Sequence, residues 1–315
     1  MYVITNREYN SKATDIKKVF GRKLNNPNDE LRLAVVTGAP GSFKCKVYQE
    51  TASMRTGRAA YPSEKLFKEL QSRMRSKKGK NVVVFVHGFN TTFVEALETA
   101  HDIEKSYDVE VILFTWPSDG KTGRYKSDKR DAIASHLALD RTLERLSAYM
   151  QKHITKENAC GRGFTLMLHS MGNYLFKFLM KSTEYQGETL IFDNVILASA
   201  DVNNHDHQEW VKDIQVRNRI YITINEDDRA LGLSRMKFGS KQKARLGHTV
   251  FGTKASNAVY LDFSDAAHIG NDHSYFRKTA KINADVKNVF ETILNGRRIE
   301  SRLSFNPANG TYEVT

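Results

Sequence analysis

The fold is decided by the stretch Phe164-Thr165-Leu166-Met167-Leu168-His169-Ser170-Met171-Gly172-Asn173. Its first half is an apolar run typical of a strand that is buried on both faces of a parallel sheet. Its second half opens a helical pattern that continues to residue 182. Ser170 is therefore predicted at a sharp turn between strand and helix, where its hydroxyl would project above the edge of the sheet. Such a serine is either a nucleophile or the N-cap of the helix.

Similar patterns alternate along the rest of the chain. Further strands are predicted at residues 81–86, 109–115, 194–198, 219–224 and 259–263. Helices are predicted at residues 93–107, 128–153, 171–182 and 284–294, the first of them after a Thr91-Thr92 N-cap. Alternating strands and helices of this length predict an α/β fold, in which a mostly parallel sheet carries helices on both faces.

Composition excludes several classes of protein. With 40% hydrophobic and 27% charged residues, the chain is globular rather than disordered or of low complexity. Its 2 cysteines, Cys45 and Cys160, build neither a disulfide framework nor a cysteine-rich zinc site. The longest apolar run, residues 82–86, is far shorter than a membrane-spanning helix, and the first residues lack the pattern of a secretory signal. We therefore expect a soluble, cytoplasmic protein.

The positive charge of the chain is concentrated in its N-terminal part. Residues 1–80 contain 18 Lys/Arg against 7 Asp/Glu and supply most of the net charge of +12. They also contain one predicted strand at 31–37 and a short predicted helix at 64–76. We expect a basic extension, residues 1–80, packed on a main domain of residues 81–315. The basic run 73–80 is either a solvated linker or a contact for an anionic surface or nucleic acid, although no base-reading motif accompanies it.

A second motif, His87-Gly88-Phe89-Asn90, follows the predicted strand at 81–86. In folds with a nucleophilic serine between strand and helix, this position supplies the second half of an oxyanion hole. The N–H of Phe89 would join that of Met171, and each such donor typically contributes about 3 kcal/mol to stabilising the transition state. Gly172 lets strand and helix pass closely, whereas Leu168 departs from the small residue of the general motif. His87 is interpreted as a core histidine without a role in proton transfer.

A set of short motifs recurs in a fixed order along the chain. They are Thr5-Asn6-Arg7, His87-Gly88-Phe89-Asn90, Phe114-Thr115-Trp116-Pro117-Ser118, Tyr125 with Asp128 and Ser135, His169-Ser170-Met171-Gly172-Asn173, Asp228-Arg229-Ala230-Leu231, Arg245-Leu246-Gly247 and His273-Ser274-Tyr275-Phe276. Over residues 81–277, and faintly at the N-terminus, the set resembles a bacterial family of α/β hydrolases that is classed with esterases and lipases and catalogued as a domain of unknown function. The resemblance implies an α/β-hydrolase fold and a serine triad, and it implies no particular substrate.

In this fold the triad acid and the triad histidine follow the serine along the chain, each in a loop after a late strand. Asp228 follows the predicted strand at 219–224 and matches the family's acid-x-Ala-Leu pattern. Asp201, at the end of the preceding strand, is the alternative acid, because some lipases take their acid from that position. His273 follows the strand at 259–263 and matches the family's His-Ser-Tyr-Phe pattern. The predicted triad is therefore Ser170, Asp228 and His273.

Residues 229–257 form a second basic segment, with 7 Lys/Arg and no Asp/Glu. Since it lies between the predicted acid and base, we expect either a solvated loop or a lid or rim of the active site. As a rim, its cations would attract an anionic acyl substrate such as a phospholipid or a phosphorylated thioester. They are Arg235, Lys237, Lys241, Lys243 and Arg245. His205-Asp206-His207 lacks a third metal ligand, so neither a metal nor another cofactor is expected.

These residues predict a serine hydrolase that cleaves a carboxylic ester or thioester of a small-molecule acyl substrate through an acyl-enzyme on Ser170. Two alternatives stay open. One is a non-catalytic adaptor on a hydrolase fold, and the other is a nucleic-acid-associated protein that binds through residues 1–80. Because esters, thioesters and amides are cleaved by the same residues, the sequence does not select among them, and it sets neither acyl length nor oligomeric state.

Overall fold

The computed structural model describes residues 1–27, 30–48, 62–153, 161–236, 244–249 and 251–315, without the side chains of residues 153, 235 and 236. The strands are β1 (Tyr2–Thr5), β2 (Arg7–Tyr9), β3 (Phe20–Leu24), β4 (Arg32–Thr37), β5 (Lys44–Tyr48), β6 (Val82–Val86), β7 (Glu110–Thr115), β8 (Phe164–His169), β9 (Asn194–Ala198), β10 (Arg219–Ile224), β11 (Ala258–Asp262), β12 (Ser304–Asn306) and β13 (Thr311–Glu313). The helices are α1 (Ile16–Val19), α2 (Pro62–Arg75), α3 (Phe93–Tyr107), α4 (Tyr125–Ala134), α5 (His136–His153), α6 (Gly172–Met180), α7 (Gln208–Val211), α8 (Arg229–Met236) and α9 (Ala284–Leu294). None of these helices combines the length and the apolar character needed to cross a membrane.

An 11-stranded sheet organises the fold, in the order β12-β13-β11-β10-β9-β8-β6-β7-β1-β4-β5, while β2 and β3 pair separately. From β1 across to β13 every neighbouring pair is parallel. Antiparallel pairing occurs at the two edges of this sheet, where β4 and β5 follow β1 and where β12 follows β13. The predicted mostly parallel sheet is confirmed.

The central strands are buried on both faces, as their continuous apolar runs predict. On β6, Val82, Val84 and Val86 join a core formed with α2, α4, α5, α6 and α7. Val83 and Phe85 point to the opposite face, where the core is formed with α1, α3 and α9. Successive side chains of a strand alternate between faces, so every residue of β6 contributes to one core or the other. The prediction of helices on both faces is confirmed.

Helix α3 begins at the predicted N-cap. The Thr92 hydroxyl accepts the N–H of Glu95 while the Glu95 carboxylate accepts the N–H of Thr92, which is a capping box. These bonds satisfy N–H groups that the first turn of a helix leaves unpaired. They also fix the end of the loop that runs from β6 to α3 and contains Gly88 and Phe89.

The predicted helix at 128–153 is instead two helices, α4 and α5, that meet at Ser135. The Ser135 hydroxyl donates to the carbonyl oxygen of Asp131 at 2.7 Å and accepts the Asn6 side-chain amide at 2.9 Å. Both helices bury apolar residues in the same core, so the apolar pattern continues through the break. The hydrogen bond from Asn6 to Ser135 joins residues far apart in the chain, so the local pattern of apolar residues does not predict the break.

The N-terminal part is more regular than its sequence predicts. Strand β1 pairs in parallel with β7 and antiparallel with β4, and all 4 of its residues are buried. A strand this short has too few residues for a periodic pattern to stand out, and only the neighbouring strands satisfy its backbone. The first 80 residues therefore contribute β1, β4 and β5 to the same sheet as the rest of the chain.

Candidate active site

Ser170 lies on a strained turn between β8 and α6. Its φ of 53° is in the left-handed region, which costs a residue other than glycine about 1–3 kcal/mol unless its surroundings hold it there. The Ser170 N–H donates to the carbonyl oxygen of Ala198 at 3.0 Å, and the side-chain amide of Asn173 donates to the carbonyl oxygens of Leu168 and Ser170 at 3.0 and 3.1 Å. Hydrogen bonds to the end of β9 and from the start of α6 thus maintain the turn, and the serine is only 5% exposed.

Two glycines let the surrounding backbone approach this turn. A Cβ on Gly172 would lie 2.9 Å from the carbonyl oxygens of both Val86 and His87. A Cβ on Gly88 would lie 2.7 Å from the Cβ of Ser170. Any larger side chain at either position would push the loop after β6 away from the serine, so these glycines hold Phe89 close to Ser170.

Two backbone N–H groups of the loops at Ser170 have no acceptor among the described residues. Within the described part of the chain, nothing accepts a hydrogen bond from the N–H of Phe89 or of Met171. Nearly all buried N–H groups in folded proteins are paired, and Met171 is fully buried. These are the two groups that the sequence predicts as an oxyanion hole, and both could donate to an oxyanion without first breaking another hydrogen bond to the described residues.

Asp228 and His273 are brought together by the loops after β10 and β11. The Asp228 Oδ2 lies 2.6 Å from the His273 Nδ1. The other oxygen, Oδ1, accepts the N–H groups of Ala230 and Leu231 at 3.0 and 3.1 Å and so caps α8. Asp228 is fully buried, whereas the His273 side chain is 22% exposed. A buried carboxylate thus orients the imidazole and leaves its Nε2 edge for another partner.

Asp201, the alternative acid, faces a different group. Its carboxylate accepts hydrogen bonds from Arg245 at 3.0 Å, from Ser234 at 2.8 Å and from Tyr125 at 2.8 Å. Its own N–H donates to the carbonyl oxygen of Ser170 at 3.1 Å. The side chains of Asp201 and Arg245 are only 3% and 2% exposed. The expectation that Arg245 belongs to an exposed basic rim is therefore not met, because its guanidinium is used inside the protein.

His169 and Ser199 attach the His273 loop to the end of the sheet. The carbonyl oxygen of His273 accepts from His169 Nε2 at 3.1 Å and from the Ser199 hydroxyl at 3.0 Å. The His169 and His273 rings are 4.8 Å apart, centroid to centroid. Burial, and then the charge of His273, lowers the pKa of His169 to about 3, so the ring stays neutral. The sequence analysis assigned no role to His169 or Ser199. For His169, the only indication was its position next to the predicted nucleophile.

The remaining gap in the site is between the serine and the histidine. Among the described residues, no hydrogen bond joins the Ser170 hydroxyl to His273. Catalytic hydrogen bonds of this kind are often long in a free enzyme and shorten only when substrate is bound. The two residues lie on segments that are in contact, because His169, which precedes Ser170 in the chain, packs against His273 and donates to its carbonyl oxygen.

Asp128 fixes the loop that carries Phe89. Its carboxylate accepts the Ser118 hydroxyl and the N–H groups of Asn90 and Asp119, at 3.4 and 3.1 Å. The Ser118 hydroxyl oxygen in turn accepts the N–H of Thr91 at 3.0 Å. Asp128 thereby joins the loop after β6, which contains Phe89, to the loop after β7.

Arg7 supports the same loop from the opposite side. It is fully buried and donates to the carbonyl oxygen of Thr91 at 3.0 Å and to the Thr115 hydroxyl at 3.0 Å. His87 lies beside it, with 3.4 Å between the guanidinium and Nε2. Burial, and then the charge of Arg7, lowers the pKa of His87 to about 3. His87 is thus a neutral ring, and the same burial lowers the pKa of Arg7 to about 9.

The other predicted site features are distributed as follows. Lys237, Lys241 and Lys243 lie outside the described residues, as does the side chain of Arg235. His207 uses both ring nitrogens, on the Tyr260 hydroxyl and on the carbonyl oxygen of Asn204, each at 2.6 Å. In the ranges that the structure covers, no three His, Cys, Asp or Glu side chains are grouped so as to hold a metal ion.

One family model matches the chain over residues 63–287, which is more than half of its length, and describes alpha/beta hydrolases of unknown function (DUF900). The chain belongs to this family. The DUF900 match spans β6 to β11 and includes Ser170, Asp228 and His273. No curated protein and no solved structure matches the chain. Membership establishes an α/β-hydrolase fold for the protein and leaves its substrate open.

Proposed function

We propose that this DUF900 protein cleaves a carboxylic ester or thioester through an acyl-enzyme intermediate on Ser170. The observation that carries the proposal is the 2.6 Å contact between the Asp228 carboxylate and the His273 ring, beside a serine on a left-handed turn. A nucleophile, a base and a group that orients the base are the parts that nucleophilic catalysis requires. The N–H groups of Phe89 and Met171, for which the described residues offer no acceptor, support it further.

The proposed reaction starts with attack of the Ser170 Oγ on the acyl carbon while His273 Nε2 takes the hydroxyl proton. The N–H groups of Phe89 and Met171 stabilise the negative charge that develops on the carbonyl oxygen. The proton then passes from Nε2 to the alcohol or thiol that leaves. Water next gives a proton to His273 and attacks the acyl carbon. His273 then returns this proton to the Ser170 Oγ as the bond between the acyl carbon and Oγ breaks, which releases a carboxylic acid and restores the serine. Throughout, Asp228 holds the Nδ1–H and stabilises the imidazolium.

A fluorophosphonate probe tests this proposal, because it reacts with a serine only where that serine is activated. We expect labelling of Ser170, identified by mass mapping of the adduct, and no labelling of folded Ser170→Ala. Ser182→Ala, at the end of α6, is the matched control and should be labelled like the wild type. Folded wild-type protein that takes up no probe would overturn the proposal and favour the adaptor alternative.

A further inference from the structure

The Lys129 side chain lies between two aromatic rings near the proposed active site. Its Nζ is 4.4 Å from the ring centroid of Tyr174 and 5.8 Å from that of Tyr125. The residue is half-buried. Within the residues that the structure describes, no carboxylate and no other hydrogen-bond acceptor pairs with this ammonium. A partly buried cation without an anion is unusual, since burial of a charge costs free energy unless a partner offsets it.

The charged side chains around the Lys129 ammonium include more cations than anions. After burial, the charge of Arg245 contributes most to the lowered pKa of Lys129, and Lys177 also contributes. The nearby carboxylate of Asp201 is bonded to Arg245 at 3.0 Å. The charge of Asp201 also acts on Lys129 and raises its pKa, but among the described residues this carboxylate forms its ion pair with Arg245 and none with Lys129.

The two rings connect Lys129 to the residues around Ser170. Tyr174 lies on the first turn of α6, and its N–H donates to the carbonyl oxygen of Met171 at 3.0 Å. The ring of Tyr125 packs against the ring of Phe89, with 5.2 Å between centroids. The Tyr125 ring therefore contacts Phe89, which carries one proposed oxyanion donor, and the Tyr174 backbone is bonded to Met171, which carries the other. Asp201 adds a second link, because its carboxylate accepts the Tyr125 hydroxyl at 2.8 Å and its N–H donates to the carbonyl oxygen of Ser170 at 3.1 Å.

We infer that Lys129 binds a free carboxylate on the acyl substrate while the scissile carbonyl lies at Ser170. The inference rests on the proposed function and adds the substrate class. A single ammonium matches the single negative charge of a carboxylate, and its partial burial beside two rings strengthens a charge-assisted hydrogen bond. Arg245 and Lys177 add to the positive potential that draws an anionic substrate to this side of the site.

The test uses two pairs of esters that differ only in one charge. The first pair is 4-nitrophenyl monoadipate and its methyl ester, with the carboxylate on the acyl side. The second is 4-acetoxybenzoate and its methyl ester, with the carboxylate on the leaving group. For at least one pair, Lys129→Met should lower kcat/KM for the carboxylate by about 10- to 100-fold and leave the neutral ester within about twofold. Methionine should be tolerated because its thioether packs well on aromatic rings.

Lys105→Met is the matched control, because Lys105 is exposed on the last turn of α3 and its loss changes the net charge equally. It should affect neither ester. Equal effects of Lys129→Met on charged and neutral esters, or no effect in either pair, would refute the Lys129 site and leave the proposed function standing. If the wild type cleaves no ester, the proposed function fails. The Lys129 site is then decided by calorimetric binding of the monomethyl adipate anion, which Lys129→Met should weaken by a similar factor.

Discussion

Two buried aspartates lie near the serine turn, and they have opposite kinds of partner. Asp201 follows β9 and bonds to Arg245, whereas Asp228 follows β10 and bonds to His273. A guanidinium stays charged at every relevant pH, so the first pair is a permanent ionic link. An imidazole can both accept and donate a proton, so under the proposed function the second pair takes part in proton transfer. Asp201 and Asp228 are the same type of residue, and each follows the end of a strand. They differ in the side chain that each carboxylate binds, and we expect this partner to decide what each aspartate does.

The largest effect is expected from a substitution that breaks the pair of Asp228 and His273. Asp228→Asn should lower kcat by about 10⁴-fold, because an amide in place of the carboxylate favours the wrong tautomer of His273. Asp201→Asn is the matched control, since it makes the same change on the neighbouring strand end. It should cost far less turnover, and steady-state kinetics on one neutral ester measure both. If the ranking is reversed in two folded variants, Asp201 is the acid and the comparison fails.

The next effect concerns the ionic link. Arg245→Met should lower the free energy of unfolding by about 3–5 kcal/mol, because it leaves the Asp201 carboxylate buried without its cation. Denaturant unfolding of Arg245→Met and of Arg245→Met with Asp201→Asn measures the change. The double variant should recover much of the loss, since it removes the stranded charge as well. Additive losses would show that the two side chains do not stabilise each other.

The last effect, which is the smallest when expressed per pH unit, appears in the pH dependence of stability. His87 and His169 have a pKa of about 3 in the folded protein, against about 6.5 in an unfolded chain. Their contribution to stability is complete above pH 6.5. It is lost as pH falls toward 3, because only the unfolded chain takes up protons there, at about 1.4 kcal/mol per pH unit for each histidine.

His169→Gln tests this on the Asp228 side of the site, because glutamine keeps a donor for the carbonyl oxygen of His273 but does not titrate. Urea unfolding between about pH 4 and 6.5 should show a slope reduced by about 1.4 kcal/mol per pH unit. Asp201→Asn should leave the slope of the two histidines in place, since neither of them contacts that carboxylate. An unchanged slope in His169→Gln would mean that the ring is protonated in the folded protein.

Much of the secondary structure could be predicted because its causes are local. The predicted strands at 194–198 and 219–224 coincide with β9 and β10, and the predicted helix at 93–107 coincides with α3. Continuous apolar runs and a capping box depend only on neighbouring residues. The break at Ser135 and strand β1 were missed for the opposite reason. Each depends on a partner more than a hundred residues away in the chain, Asn6 in one case and β7 in the other.

The sequence by itself determined that a serine would follow a buried parallel strand and open a helix, and that Asp201, Asp228 and His273 would follow later strands. In a parallel sheet the carboxyl ends of all strands meet at one edge, so these residues had to lie near each other. Only the tertiary structure decided which aspartate meets the histidine. Which aspartate meets His273 depends on the paths of the loops after β9, β10 and β11. It also depends on Arg245, which is buried against Asp201, and no local sequence pattern predicts that these two residues are in contact.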